Sequence, residues 1–227
     1  MNIDTLRPSL DVLSRDFVLI QAWKKTSTYI RYHNWYADTL DIDRTAANLP
    51  SFIRELGSEL ASPSTWRNAP LRMVPAPKPQ RWRVSGSGAW EPLDGRIVGA
   101  KLRPLAHVDL KSQVIATAIM MCLADRVETQ QGDPREKAGE AVAARHLVSY
   151  GNRLFCDKTD EGLRHRWGST KIYRAYYQDY RAFVEFSERA ADPVPDTDDE
   201  RVVVVHSDLS QFYDRVRPSL LNSKIQP

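Results

Sequence analysis

Over the first ~60 residues apolar and aromatic side chains recur at helical spacing, with Phe17, Ile20, Trp23, Tyr29 and Ile30 on roughly one face. A further helix is announced by Asn48 as N-cap, Pro50 near the first turn, and Ile53, Leu56 and Leu60 at packing intervals. The pattern breaks after Ala61. Pro63, Pro70, Pro75, Pro77 and Pro79 turn helix into loop and extended chain. In "QRWRVSGSGAWEPLDGRIVGAKLRPL" basic, aromatic and aliphatic residues then alternate around two turn signals, Ser85-Gly86-Ser87-Gly88 and Asp94-Gly95. That alternation predicts a twisted hairpin with strands near 80–85 and 96–105.

Asp109 is placed to cap a helix that runs to about Glu128. Its stripe of Leu110, Val114, Ala118 and Cys122, widened by Ile115, Ile119 and Met121, predicts burial of much of the helix surface. The polar run "TQQGDPREKAGEA" reads as a loop, and Tyr173, Tyr176, Tyr177, Tyr180, Phe183 and Phe186 predict a helix over approximately 168–190. Asp192, Asp196, Asp198, Asp199 and Glu200 around two prolines predict an exposed connector. Val202 to Val205 is β-branched without alternation, as in a strand covered on both faces, and the period of two puts Val204, His206 and Asp208 on one side.

The 227 residues, 42% of them hydrophobic, can supply a real core. No apolar run approaches the ~20 residues that cross a bilayer, and "MNIDTLRPSLDVL" lacks a basic-then-apolar leader pattern, so no membrane association and a cytoplasmic location are expected. Cys122 and Cys156, both beside apolar residues, argue against a disulfide framework or a cysteine-held zinc. A net charge of +3 says little, but its distribution says more. Between Arg67 and Arg103 eight basic residues face two acids, Glu91 and Asp94, in company with Trp66, Trp82 and Trp90. On residues alone this is either a surface for a polyanion or a solvated hairpin with snorkelling arginines. The aromatic cluster Trp23, Tyr29, Tyr32, Trp35 and Tyr36 likewise either stacks on bases or packs against the next helix.

The chemistry concentrates in "RVVVVHSDLSQFYDRV". A carboxylate that ends a buried strand is costly unless it is paired or bound to a cation. Two Mg²⁺ ions held by carboxylates activate a 3′-hydroxyl and stabilise leaving pyrophosphate, because hard cations take oxygen ligands and keep positions open for phosphate. Asp208 is then a metal ligand, with Tyr213 near the sugar. The other reading makes Asp208 the cap of a turn and puts Phe212 and Tyr213 in the core.

"HSDLSQFYDRV" resembles the first catalytic motif of the reverse transcriptase family, an aspartate at a strand end followed by an aromatic pair and a further aspartate. "KLRPLAHVDLKSQVIATAIMMCLADRVE" resembles the fingers segment of bacterial and group II intron-like members, and "VSYGNRL" resembles the Ser-Tyr-Gly-x-Arg block that follows it. The three blocks stand in family order across about residues 75–221.

The resemblance implies an α+β chain: a helical N-terminal extension (1–66), a fingers-like region with the basic hairpin and helices (67–191), and an acidic connector with the start of the palm (192–227). It implies the front of a right-hand RNA-directed DNA polymerase, a nucleotidyltransferase, with antiphage defence as its setting. Asp208 is implied as catalytic metal ligand, and Leu209 as donor of a backbone carbonyl to the second of two Mg²⁺ ions. Arg103, Lys101 and Lys78 are implied to touch the incoming deoxynucleoside triphosphate, with Tyr213 as the gate that excludes a 2′-hydroxyl. Arg81 and Arg83 are expected on nucleic acid, with an RNA template and a DNA product or primer as partners. Ser149, Tyr150 and Asn152 are expected to shape the template side or the packing, and Asp214 to be structural.

The chain departs from the family pattern after that motif. Only 19 residues follow Asp208, and no Tyr-x-Asp-Asp hairpin supplies the remaining metal-binding carboxylates. The expectation is therefore an incomplete palm, with the missing half from a longer polypeptide or another subunit, and no activity alone. A non-catalytic RNA- or protein-binding derivative of the fingers scaffold is the alternative. An unrelated α/β domain with Asp208 in a turn is a third reading.

Overall fold

The computed structural model describes residues 9–33, 39–62, 64, 66–67, 69–77, 82–93, 102–135, 147–191, 203, 205, 207 and 215–225. Four helices come first: α1 (Leu10–Leu13), α2 (Asp16–His33), α3 (Thr39–Ala47) and α4 (Leu49–Ala61). In α4 the buried residues are Ile53, Leu56 and Leu60, the three that the spacing selects. Asn48 stands at the N-cap position without a side-chain cap bond, and Pro50 opens the first turn.

The face that α2 buries is not its aromatic one. Val18, Leu19, Ala22, Lys25 and Thr26 are buried, whereas Phe17 and Tyr29 are exposed, and Ile20 and Trp23 lie partly buried against the core. Small side chains explain the rotation, since Ala22 and Thr26 let α2 approach α5 (Leu110–Gln131) closely. Thr26 Oγ1 donates to Thr117 Oγ1 at 2.8 Å across that contact. Of the N-terminal aromatic cluster, Tyr29 meets the Tyr173 ring edge-on at 5.8 Å, Tyr32 is exposed, and Trp35 and Tyr36 lie outside the described residues.

In place of one hairpin there are two, one inside the other. The strand β1 (Arg72–Pro77) pairs antiparallel with β4 (Leu102–His107), and between them β2 (Trp82–Val84) pairs with β3 (Trp90–Pro92). The extended chain expected in the proline-rich segment is thus a strand from Arg72 to Pro77. Prolines two residues apart, Pro75 and Pro77, put their missing N–H groups on one edge, and a two-stranded ribbon has an outer edge to receive them. The Ser85–Gly88 turn is present, closed by Ser85 N–H donating to the Ala89 carbonyl at 2.8 Å, with Gly88 at φ +80°. Asp94 and Gly95 lie outside the described residues.

Asp109 caps α5 as its position suggests, its carboxylate accepting from Ser112 N–H at 3.0 Å. The helix buries Val114, Ile115, Thr117, Ala118, Met121, Ala124 and Glu128. A further hairpin follows, β5 (Cys156–Thr159) with β6 (Gly162–His165), which the hydrophobic pattern does not announce. Then α6 (Tyr176–Ala191) starts well after residue 168, because 172–174 run beside 153–155: Phe155 N–H donates to the Ile172 carbonyl at 2.8 Å and Arg174 N–H to the Arg153 carbonyl at 2.9 Å. The last described element is α7 (Pro218–Ile225).

Two hydrophobic clusters share α5. Leu13, Val18, Leu19, Ala22, Ile53, Leu56 and Leu60 pack on its first half around Val114, Ile115, Ala118 and Met121. Leu154, Cys156, Leu163 and Ile172 pack around Ala124, and Met120 touches both clusters. Of the valine run expected as a covered strand, Val203 and Val205 are 79% and 82% exposed and outside any strand, and Val202 and Val204 lie outside the described residues. A β-branched run becomes a buried strand only where neighbouring strands cover it, and none of the three described sheets includes this run.

Candidate functional site

Of the residues singled out from the sequence, Asp208, Leu209, Tyr213, Lys78, Lys101, Arg81 and Asp214 lie outside the described residues. Arg103 is in β4 opposite Ala76. Arg83 is in β2 opposite Glu91, and its Nε donates to Glu91 Oε1 at 2.8 Å with both side chains exposed. Its charge is therefore already offset within the hairpin. Cross-strand partners share a face, so Arg83 and Glu91 occupy one side of this ribbon and Trp82, Val84, Trp90 and Pro92 the other.

The block that follows α5 is built around Arg153, a residue that the motif contains but to which the sequence reading assigned no role. Its side chain is fully buried, and Nε donates to Glu128 Oε2 at 2.9 Å. Nη1 donates to the Ser149 carbonyl at 2.7 Å, and Nη2 donates to the carbonyls of Glu128, at 3.3 Å, and Gly132. The other Glu128 oxygen accepts from Leu154 N–H at 3.1 Å. All three guanidinium nitrogens and both carboxylate oxygens are engaged, which is the condition for keeping an ion pair in a core. Removing one partner leaves the other charge buried, at a cost of about 3–5 kcal/mol.

Around this pair lies a second set of charges. Arg135 forks onto Asp133, with Nε and Nη2 at 2.9 and 2.8 Å from its two oxygens. Arg174 reaches Asp133 at 3.5 Å and Asp179, in the first turn of α6, at 3.0 Å. The latter contact is ionic without hydrogen-bond alignment, and burial raises the Asp179 carboxyl above its ordinary value despite the nearby Arg174. Burial also pushes the Asp133 carboxyl up, but hydrogen bonds and charge from Arg135 outweigh that and hold it low. The network ties the end of α5, the turn after it, β5 and the start of α6 into one unit.

Ser149 and Tyr150 serve that unit. The Ser149 hydroxyl accepts from Gly151 N–H at 3.2 Å, and Tyr150 packs edge-on against Phe183 at 5.7 Å. Asn152 holds φ +52°, a left-handed turn conformation that asparagine tolerates. The sequence did carry a signal for the lock. Glu128 continues the apolar stripe Val114, Ala118, Met121 and Ala124, and an acid on a buried stripe requires a buried cation.

A third buried group lies beneath α2. Lys25 Nζ donates to three backbone carbonyls, of Arg166, Ser169 and Lys171, at 3.0, 2.5 and 3.2 Å. Burial draws its pKa down to about 8, so it remains an ammonium at neutral pH. Cys156 is pushed up to about 12 by burial and by the carboxylates of Glu128 and Asp125, which leaves an inert thiol rather than a nucleophile. Among the described residues no three His, Cys, Asp or Glu side chains gather as a metal cage. Among them, too, no helix is long and apolar enough to cross a membrane. Comparison with protein-family models, with curated proteins and with solved structures gives no match.

Proposed function

We propose that this chain is the N-terminal part of a cytoplasmic RNA-directed DNA polymerase, contributing its helical extension, its fingers and its first palm motif, with antiphage defence as its setting. The reading starts from three motif blocks in family order. One observation lends it most support: the second and third blocks meet in space. The Arg-Pro-Leu strand β4 turns at Asp109 into α5, and Arg153 of the Ser-Tyr-Gly-Asn-Arg block locks onto Glu128 at the far end of that helix. A buried ion pair that joins the two blocks is what a shared scaffold would use to hold them together.

In this reading Asp208 and the Leu209 carbonyl hold Mg²⁺, whose chemistry is to activate the primer hydroxyl and neutralise the leaving pyrophosphate. Arg103 stands on β4, and Lys101 and Lys78 adjoin the ends of β4 and β1 in sequence, so that cations would close over three phosphates. Tyr213 excludes the ribose 2′-hydroxyl by overlap.

The test is primer extension by the longest natural polypeptide that contains this chain, with an RNA template, a DNA primer and deoxynucleotides in Mg²⁺. Asp208→Ala is expected to slow synthesis about a thousandfold or more, since a bound metal contributes several kcal/mol of charge stabilisation. Tyr213→Ala is expected to retain synthesis and admit ribonucleotides, which a misfolded variant would not do. Undiminished synthesis by Asp208→Ala would remove Asp208 from the metal site. Absence of synthesis by the unaltered polypeptide would favour the non-catalytic scaffold.

A further inference from the structure

We propose that the inner hairpin, β2–β3, is a stacking platform for the bases of an unpaired nucleic-acid strand. Trp82, Val84 and Trp90 share one face of this ribbon and are 49%, 56% and 71% exposed. None of the three belongs to either hydrophobic cluster. Two indoles held in water on a short hairpin contribute little to folding, yet strand pairing holds them in a defined arrangement. Trp82 lies opposite Pro92 and Trp90 opposite Val84, so the two residues are diagonal neighbours whose backbone positions stand ~7–8 Å apart by strand geometry. That is about twice the ~3.4 Å rise between stacked bases.

Charge selects the occupant. The surrounding segment, Arg67 to Arg103, carries eight basic residues against two acids, and one of those acids, Glu91, is already engaged by Arg83 at 2.8 Å on the opposite face. The cationic excess of this stretch of sequence favours a polyanion, and two exposed flat rings favour bases. A duplex hides its base faces within its own stack, so the fitting ligand is a single strand. The strand's identity, an unpaired stretch of template, rests on the polymerase reading, whereas binding itself does not.

Fluorescence anisotropy of a fluorescein-labelled 20-nucleotide oligouridine and of a duplex RNA of equal length, at several salt concentrations, tests the platform. Trp82→Ala and Trp90→Ala are each expected to weaken single-strand binding about tenfold, with the salt slope and the duplex affinity unchanged. Trp90→Phe is expected to restore most of the loss. Far-UV circular dichroism of each variant verifies the fold. Unchanged single-strand affinity in the Trp82→Ala, Trp90→Ala double variant overturns the proposal, as does equal loss on single strand and duplex. A double variant that binds RNA normally but changes its sedimentation coefficient overturns it in favour of a protein-docking face. Primer extension separates the two claims. Tryptophan-dependent binding by a polypeptide that makes no DNA sinks the polymerase reading alone, and Asp208-dependent synthesis with tryptophan-independent binding sinks the platform alone.

Discussion

His165 sits in β6 with its backbone N–H donating to Asp125 Oδ1 at 2.7 Å, while neither ring nitrogen has a hydrogen-bond partner among the described residues. Burial, reinforced by the charge of Lys25, lowers its pKa from 6.5 to about 4. The folded chain therefore keeps this ring neutral where the unfolded chain protonates it. Between pH 6.5 and about 4 the unfolded state binds the extra proton, so stability falls with pH, by about 3 kcal/mol across the window. Urea titrations at pH 7, 5.5 and 4.5 should show that decline, and His165→Gln should remove about one proton's worth of its slope. An identical slope in the variant would mean that the folded state admits the charge. At this scale the sequence is uneven in what it reveals. The Asp109 cap is legible because capping is local, three residues from acceptor to donor. Lys25 is not, because its three carbonyl partners lie 141 to 146 residues away.

Elements were legible where their period repeats often enough. The long helix α5 and the buried face of α4 follow their spacing, but β5 and β6 have four residues each and include Asp157, Lys158 and Arg164, too short and too charged to reveal alternation. One residue does announce that hairpin, Gly162, which closes it at φ +125°. A Cβ there would meet both branches of Thr129, at 2.5 Å from Cγ2 and 2.6 Å from Oγ1. The same hydroxyl accepts from Leu163 N–H at 2.8 Å and fastens the hairpin to α5, so Thr129 cannot yield without losing that bond. Gly162→Ala should cost about 3 kcal/mol, combining backbone strain with a displaced hydrogen bond. Gly151→Ala, where an added methyl meets nothing within 4 Å, should stay within about 0.5 kcal/mol. Denaturant midpoints at constant slope measure both. A Gly162→Ala midpoint equal to that of Gly151→Ala would show that the turn relaxes freely.

At the scale of the molecule, α5 is the common support: α1, α2 and α4 pack on its first half and the β5–β6 hairpin on its second. A hydrophobic stripe tells which face is buried but not what covers it. That is why the sequence shows an N-terminal set of helices without showing that they share a core with a helix beginning at residue 110. The proposed metal motif stays a matter of sequence for a different reason, since Asp208 to Asp214 lie outside the described residues. The shared core has a measurable consequence. Leu56 on α4 and Leu163 on β6 belong to different clusters, and Met120 touches both. Truncating either leucine to alanine should cost about 2–5 kcal/mol. If α5 transmits the loss, each variant unfolds in a single transition, and tryptophan fluorescence and far-UV circular dichroism give the same midpoint in both. Were the N-terminal helices an autonomous module, Leu56→Ala would instead split the curve, melting Trp23 and its surroundings first while the hairpin at the other end of α5 held. Coincident transitions would make the N-terminal helices part of the body that carries the β5–β6 hairpin, and any partner gripping those helices would then bear directly on the orientation of α5.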